Sequence, residues 1–274
     1  MRPFRSLAIL VGRLALPGLA AVPARTAAQD PPPIQDNSFL VEEAYNQEAG
    51  VVQHISTFLW AGSDSWSYSF TQEWPLGGIR HQLSYTIPIR HIAQTGLGDI
   101  LLNYRYQAVG DGGADLAMAP RLSVIVPTGD EEDGYGVGGP GLQVALPLNW
   151  KFAPRFTLVG NAGFTWVPQA SNGGNQAASI TGVNLGASTI WSPLARLNFL
   201  VEAVWARVET VDSAGGKASY YEAFINPGVR WSVNGRGGWQ VVPGVAYTFG
   251  VGPASGNDAL FLYLSIEHPF KGGS

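Results

Sequence analysis

The nine tryptophans read as the ends of strand-like segments, with none in the middle of one. Trp74, Trp150, Trp191, Trp231 and Trp239 each flank a short turn, whereas Trp60, Trp66, Trp166 and Trp205 flank the other ends, mostly beside longer polar loops. Between them, apolar and polar residues alternate. Successive strand side chains point to opposite faces, so each alternating run builds one greasy and one wet wall. Indole sits well at a membrane–water boundary, because its body is apolar while its N–H still finds a partner. Two aromatic belts around an alternating band predict an all-β fold, a single antiparallel transmembrane β-barrel of the outer-membrane kind.

The alternation is explicit in six segments. Trp66, Tyr68, Phe70 and Trp74 oppose Ser67, Ser69, Thr71 and Glu73, and Leu83, Tyr85, Ile87 and Ile89 oppose Gln82, Ser84 and Thr86. Ile100, Leu102, Tyr104 and Tyr106 oppose Asp99, Asn103 and Arg105; Leu142 to Trp150 alternate against Gln143 and Asn149. Leu197 to Trp205 alternate against Asn198 and Glu202, and Leu260 to Phe270 against Ser265 and Glu267. Weaker candidates at 51–60, 116–127, 156–166, 183–191, 221–233 and 239–249 bring the expectation to about 12 strands over residues 50–270, an even number as in bacterial single-chain barrels. A soluble β-sandwich alternates too, but it would not place charges along its enclosed face. The connections also take turns in length: 151–155, 192–196 and 234–238 are tight, while 128–136, 168–179, 211–219 and 252–258 are longer and polar. That is the pattern of short periplasmic turns and long external loops, with both termini periplasmic. The segment 61–65 is shorter than this pattern asks.

Pro120, Pro147, Pro227 and Pro243 fall inside predicted strands, where proline cannot donate to the ladder. Bulges are the usual accommodation. Pro227 and Pro243 are equidistant from Gly235, which suggests that they face each other across one hairpin.

Charged residues are only 13% of the chain, about half the usual share, while hydrophobic residues are an ordinary 46%. This combination argues against a helical membrane protein and suits a barrel with a polar lumen. With no cysteine, a disulfide scaffold, a zinc–thiolate site and a cysteine nucleophile are excluded. Residues 1–28 read as a cleaved secretory signal: Arg2 and Arg5 lead an apolar stretch from Leu7 to Ala21, and Thr26-Ala27-Ala28 offers a cleavage site. The apolar run is shorter than a spanning helix requires. Removing Arg2, Arg5, Arg13 and Arg25 leaves 12 basic against 20 acidic residues, a balance that disfavours nucleic acid as a partner. Asp30-Pro31-Pro32-Pro33 follows as a stiff spacer. Residues 29–49 are expected to form a periplasmic lead-in, in which Ser38 to Gln47 is either an amphipathic helical stretch or an extended approach to the barrel. Residues 271–274 form a tail.

The expected lumen-lining residues are Glu73, Asp99, Asn103, Arg105, Arg121, Glu202, Glu222, Arg230 and Glu267. Charges enclosed by a low-dielectric wall need partners or water. They therefore form either a ladder of ion pairs that stiffens the barrel or a pore lining that selects solutes. About 12 strands lie between a packed core and an open channel. Gly134-Tyr135-Gly136-Val137-Gly138-Gly139 matches a dinucleotide-binding spacing, but no helix follows it, so it reads as a relaxed external loop. Asp130 to Asp133 is a solvated acidic run without the ligand spacing of a calcium loop. His54, His81, His91 and His268 are not in zinc-protease spacing, and no G-x-S-x-G elbow is present. No cofactor, metal or catalytic residue is expected.

Gly96-Leu97-Gly98-Asp99 opening a strand, then Ala119-Pro120-Arg121-Leu122-Ser123-Val124-Ile125-Val126-Pro127-Thr128-Gly129-Asp130, resembles the outer-membrane barrels named for the MetA pathway of phenol degradation. The run Phe39 to Glu48 resembles the lead-in of transporter-like members. The resemblance implies passage of small hydrophobic or aromatic solutes. Outer-membrane lipids and the barrel assembly machinery would be its partners, and the outer membrane of a Gram-negative cell its location. It supplies no catalytic or ligand residues. A structural or surface-interaction barrel with a plugged lumen, and an outer-membrane lipid hydrolase, remain the alternatives.

Overall fold

The computed structural model describes residues 34–36, 38–62, 64–174, 176–212 and 214–270. The expected signal segment, the triple-proline spacer and the tail 271–274 lie outside the described residues. Twelve antiparallel staves form the wall: β1 (Val51–Trp60), β2 (Trp66–Pro75), β3 (His81–His91), β4 (Ile100–Tyr106), β5 (Arg121–Val126), β6 (Gly141–Ala153), β7 (Phe156–Ala170), β8 (Ala178–Leu194), β9 (Leu197–Val211), β10 (Lys217–Trp231), β11 (Gln240–Gly250) and β12 (Ala259–Pro269). Each pairs with its neighbours in sequence. β12 pairs with β1, and β10 with β11, so the sheet closes without a free edge. Short pieces at Thr95–Leu97, Leu116–Met118 and Val233–Asn234 extend the ladders of β3, β6 and β11. Among the described residues no helix is long and apolar enough to cross a membrane; the crossing elements are strands.

The wall is inverted relative to a soluble protein. Leu146, Leu185, Phe199, Val201 and Leu262 are exposed on its outer face, whereas Gln53, Asn149, Glu202, Asn226 and Arg230 are buried inside. The period-2 pattern thus placed the wet face inward, as lipid outside demands.

The strands differ in length. β6–β10 run for 13 to 17 residues, whereas about 9–11 suffice to cross a bilayer. This corrects the expectation that every tryptophan ends its strand. Trp205 lies inside β9, which continues to Val211 because residues 206–211 go on pairing with 217–222. Trp166 likewise precedes the end of β7 by four residues. Where strands outrun the bilayer, an aromatic belt marks a membrane level and not a strand end.

The prolines also fall differently. The predicted strand 116–127 is broken at Ala119-Pro120, so its first part pairs with β6 while β5 begins at Arg121. Pro227 and Pro243 do not face each other. The hairpin pairs Val233 with Val241 and Arg230 with Gly244, which centres the turn on Gly237 and not on Gly235. Gly237 and Gly238 supply the positive φ that this turn needs. The β10–β11 ladder skips Asn226 and Pro227. Side chains bridge that gap, with Thr248 Oγ1 donating to Asn226 Oδ1 at 2.7 Å.

Candidate functional site

Residues 34–36 and 38–48 occupy the lumen. Apart from bends they have no regular structure, so the helical alternative for Ser38 to Gln47 does not occur. The described chain enters and leaves at the end that carries both termini: Gln35 reaches the carbonyl of Gly112 in the β4–β5 connection, and Phe270 N–H donates to Gly50 O. Between these points the inner segment rises to a tip at Phe39–Glu42.

An irregular backbone inside a membrane barrel must have its polar groups met by the wall. Inward side chains do this one by one. Glu202 on β9 accepts the N–H groups of Phe39 (2.9 Å), Leu40 (3.1 Å) and Val41 (3.0 Å), and also Asn226 Nδ2 (2.7 Å). Three successive amides aimed at one carboxylate make an anion nest with the anion supplied by the wall. Asn149 accepts from Ala44 N, Gln107 from Asn46 N, and Gln82 from Gln47 N.

Ion pairs add to this. Arg230 donates to Glu43 at 2.9 Å, with the two side chains 1% and 4% exposed. It also reaches Asn198 Oδ1 and Asp36 O. Arg105 donates to Glu42, Glu73, Asn46 Oδ1 and the carbonyls of Glu43 and Tyr45. Arg121 Nε holds Glu42 Oε2 at 2.9 Å. Burial pushes the Glu42 carboxyl up, but Arg121 and Arg105 outweigh it and hold it below the usual range. For Glu43 burial wins and raises the carboxyl despite Arg230. Apolar contacts complete the seat. The Phe39 ring packs against Phe261 and Tyr263 and fills a notch over Gly228 and Gly244, where an added Cβ would lie 2.4 and 2.6 Å from it.

The far half of the lumen holds empty space. A cavity of about 780 Å³ runs from the tip (Leu40, Val41, Glu42) to far-end residues Ala61, Ser65 and Asp258. Arg121, Gln143, Asn184 and Glu222 supply its polar wall, and Leu59, Val204 and Phe224 its apolar wall. A second space of about 510 Å³ continues along Gln143 and Asn184 toward Glu131 and Val137.

The nine expected lumen residues fall in four places. Glu73, Asn103, Arg105, Arg121, Glu202 and Arg230 come together around the inner segment; Asn103 itself links Ser84 and Arg121. Glu222 lines the far cavity, and Glu267 borders a smaller one at the terminal end with Gln47 and Gln240. Asp99 is set apart. It precedes β4 and binds the backbone N–H groups of Gly129 and Val137, tying down the far-end loop that carries the glycine run. Trp60 and Trp66 pair across β1 and β2 at the far end. Trp74, Trp150, Trp191, Trp231 and Trp239 lie toward the terminal end, the last four exposed. Sequence reasoning missed the partners on the inner segment, Asp36, Glu42, Glu43, Asn46 and Gln47. It also missed Gln53 and Asn226 on the wall and Gln107 just past β4, while Gln82 and Asn198 are expected on the polar face but not as partners of Gln47 and Arg230. The available signal was an inward face richer in amides and arginines near the terminal end than a self-paired ladder needs.

A family described as "Putative MetA-pathway of phenol degradation" matches residues 30–253. No curated protein matches the chain. Among solved structures, the NanC porin is similar with a TM-score of 0.53 at 7% identity, over 79% of this chain and 98% of that one. The CymD monoaromatic hydrocarbon channel gives a TM-score of 0.44 at 10% identity, over 82% and 89%. At 7% identity the likeness to the NanC porin is one of fold.

Proposed function

Since the chain belongs to the family described as the putative MetA pathway of phenol degradation, we propose that it forms a passage for small solutes across the outer membrane of a Gram-negative cell. Its own residues 34–48 hold the periplasmic end shut. The terminal end then faces the periplasm and the far end the outside, as the longer polar connections of β6–β12 suggest. The observation that carries this reading is the cavity of about 780 Å³ above the tip. It falls in the range of small-molecule sites, and its mixture of apolar walls with a few polar groups suits small hydrophobic or aromatic solutes. The floor is a segment held by hydrogen bonds and ion pairs, not by a strand ladder, and can leave without opening the wall.

A second reading has an observation of its own: the buried Arg230–Glu43 pair and the Glu202 nest favour a permanently plugged, structural barrel. A lipid hydrolase gains no support from the histidines. His54 and His268 stack on each other, His81 on Tyr104 and His91 on Trp66, all on the outward face.

Planar-bilayer recording tests the proposal. The complete mature chain is expected to give rare, brief openings, and a variant lacking residues 34–47 steady ones of larger conductance. Silence from both proteins, each with an intact barrel by heat-dependent gel migration, would exclude a passage.

A further inference from the structure

Among the described residues, carboxylate–arginine contacts join the inner segment to the wall: Glu42 with Arg105, Glu42 with Arg121, and Glu43 with Arg230. They are not equally accessible. Arg105 and Arg230 are sealed, at 3% and 1% exposure, whereas Arg121 is 17% exposed and Glu42 16%. Both line the far cavity, beside apolar Leu40, Leu59 and Phe224. Arg121 is also pre-oriented. Its Nη1 donates to Asn103 Oδ1 (3.0 Å) and Ser123, and its Nη2 to Gln143 Oε1 (3.1 Å), which leaves Nε to face the Glu42 carboxylate.

We propose that Arg121 is the head-group site for a small apolar monocarboxylate entering from the outside, and that this ligand takes the place of the Glu42 carboxylate on Arg121. The proposal rests on the passage reading above and adds the ligand class. At Arg121 the exchange is like for like, since a guanidinium bonded to one carboxylate accepts another, and the displaced Glu42 keeps Arg105 as its partner. A fixed guanidinium also loses little entropy on binding. The apolar wall takes the body of the ligand. Glu222 and Asp258 line the same cavity and repel a second negative charge, which restricts the class to monocarboxylates.

Titration calorimetry of the full mature chain in lipid nanodiscs tests this, with benzoate as probe and benzamide as its uncharged isostere. Benzoate is expected to bind the wild type saturably and benzamide at least about tenfold more weakly, the scale of one charged hydrogen bond. Arg121→Gln is expected to lose about tenfold or more for benzoate and nothing for benzamide. Glu42→Gln removes the internal competitor and is expected to tighten benzoate severalfold, which a merely structural Glu42 would not do. Heat-dependent gel migration checks each barrel, and Arg121→Lys replaces Arg121→Gln if the latter fails to fold. No benzoate binding to the wild type, equal binding of benzamide, or no tightening in Glu42→Gln overturns the assignment. Because binding is read without conductance, this result is separable from the outcome of the bilayer experiment.

Discussion

Replacing Glu202 by alanine will release the tip of the inner segment while leaving the barrel closed. The carboxylate accepts three consecutive backbone N–H groups at 2.9–3.1 Å and Asn226 Nδ2 at 2.7 Å. A hydrogen bond to a charged group contributes about 1.5–3 kcal/mol, and a buried donor left unmet costs about 1–3 kcal/mol. Simple addition over three amides overstates the effect. Leu40 is only partly buried and borders the far cavity, so water replaces its partner. Phe39 and Val41 are buried and lose theirs. A net weakening of docking by about 3–5 kcal/mol follows, as for other buried charged contacts that lose one partner. At about 1.4 kcal/mol per tenfold, that is between two and four orders of magnitude in the population of the released state. Hydrogen exchange read by mass spectrometry on a peptide spanning Phe39–Val41 reports that population directly. Exchange there is expected to accelerate at least about a hundredfold, with peptides from β7–β9 unchanged. Glu202→Gln keeps one acceptor oxygen and is expected to fall between the two. If the alanine variant exchanges at Phe39–Val41 within threefold of the wild type, the nest does not hold the tip and the reasoning fails.

Arg230→Met strands the Glu43 carboxylate in a sealed site and is expected to lower stability by about 3–5 kcal/mol in denaturant unfolding, with the double variant Arg230→Met/Glu43→Met recovering much of the loss. Gly244→Ala places a methyl group 2.6 Å from the Phe39 ring, so the ring must leave its notch; faster exchange at Phe39 is expected, and Phe39→Ala in the same chain should remove any further effect of the methyl. The pH response follows from the two glutamates. Glu42 is held below its ordinary 4.5 once docked, so its contribution is complete above that value and is lost as the pH falls through the lowered one. Glu43 is raised, so its protonation favours docking as the pH falls toward 4.5. Conductance is therefore expected to stay low from neutral to mildly acid pH and to rise only below about 4.5. Glu42→Gln removes that acid step; an onset above pH 6 would contradict the assignment.

The architecture was legible because period-2 alternation is a local property, carried by each strand without reference to the others. Leu260, Leu262 and Leu264 declare an outward face wherever their strand is placed, and Glu202 and Arg230 declare an inward one. The same pattern predicted about twelve strands. Local reading went astray where pairing decides. Trp205 looked terminal because alternation fades after it, yet β9 continues through its partner β10. Pro227 and Pro243 looked paired because symmetry was counted about Gly235, whereas the ladder centres the turn on Gly237.

Residues 38–47 mark the boundary between the two kinds of information. Their sequence fits an amphipathic helix as well as an extended approach, so it does not say where they go. Their place is set largely by groups 35 to 187 positions away in the chain, Gln82, Arg105, Asn149, Glu202 and Arg230 among them. Composition and periodicity determined a lipid-facing tube with charges inside it. Only closure of the sheet brought those charges round an irregular strand of backbone, because a buried N–H or carboxylate can be satisfied by any partner of the right polarity, and the three-dimensional enclosure selects which one.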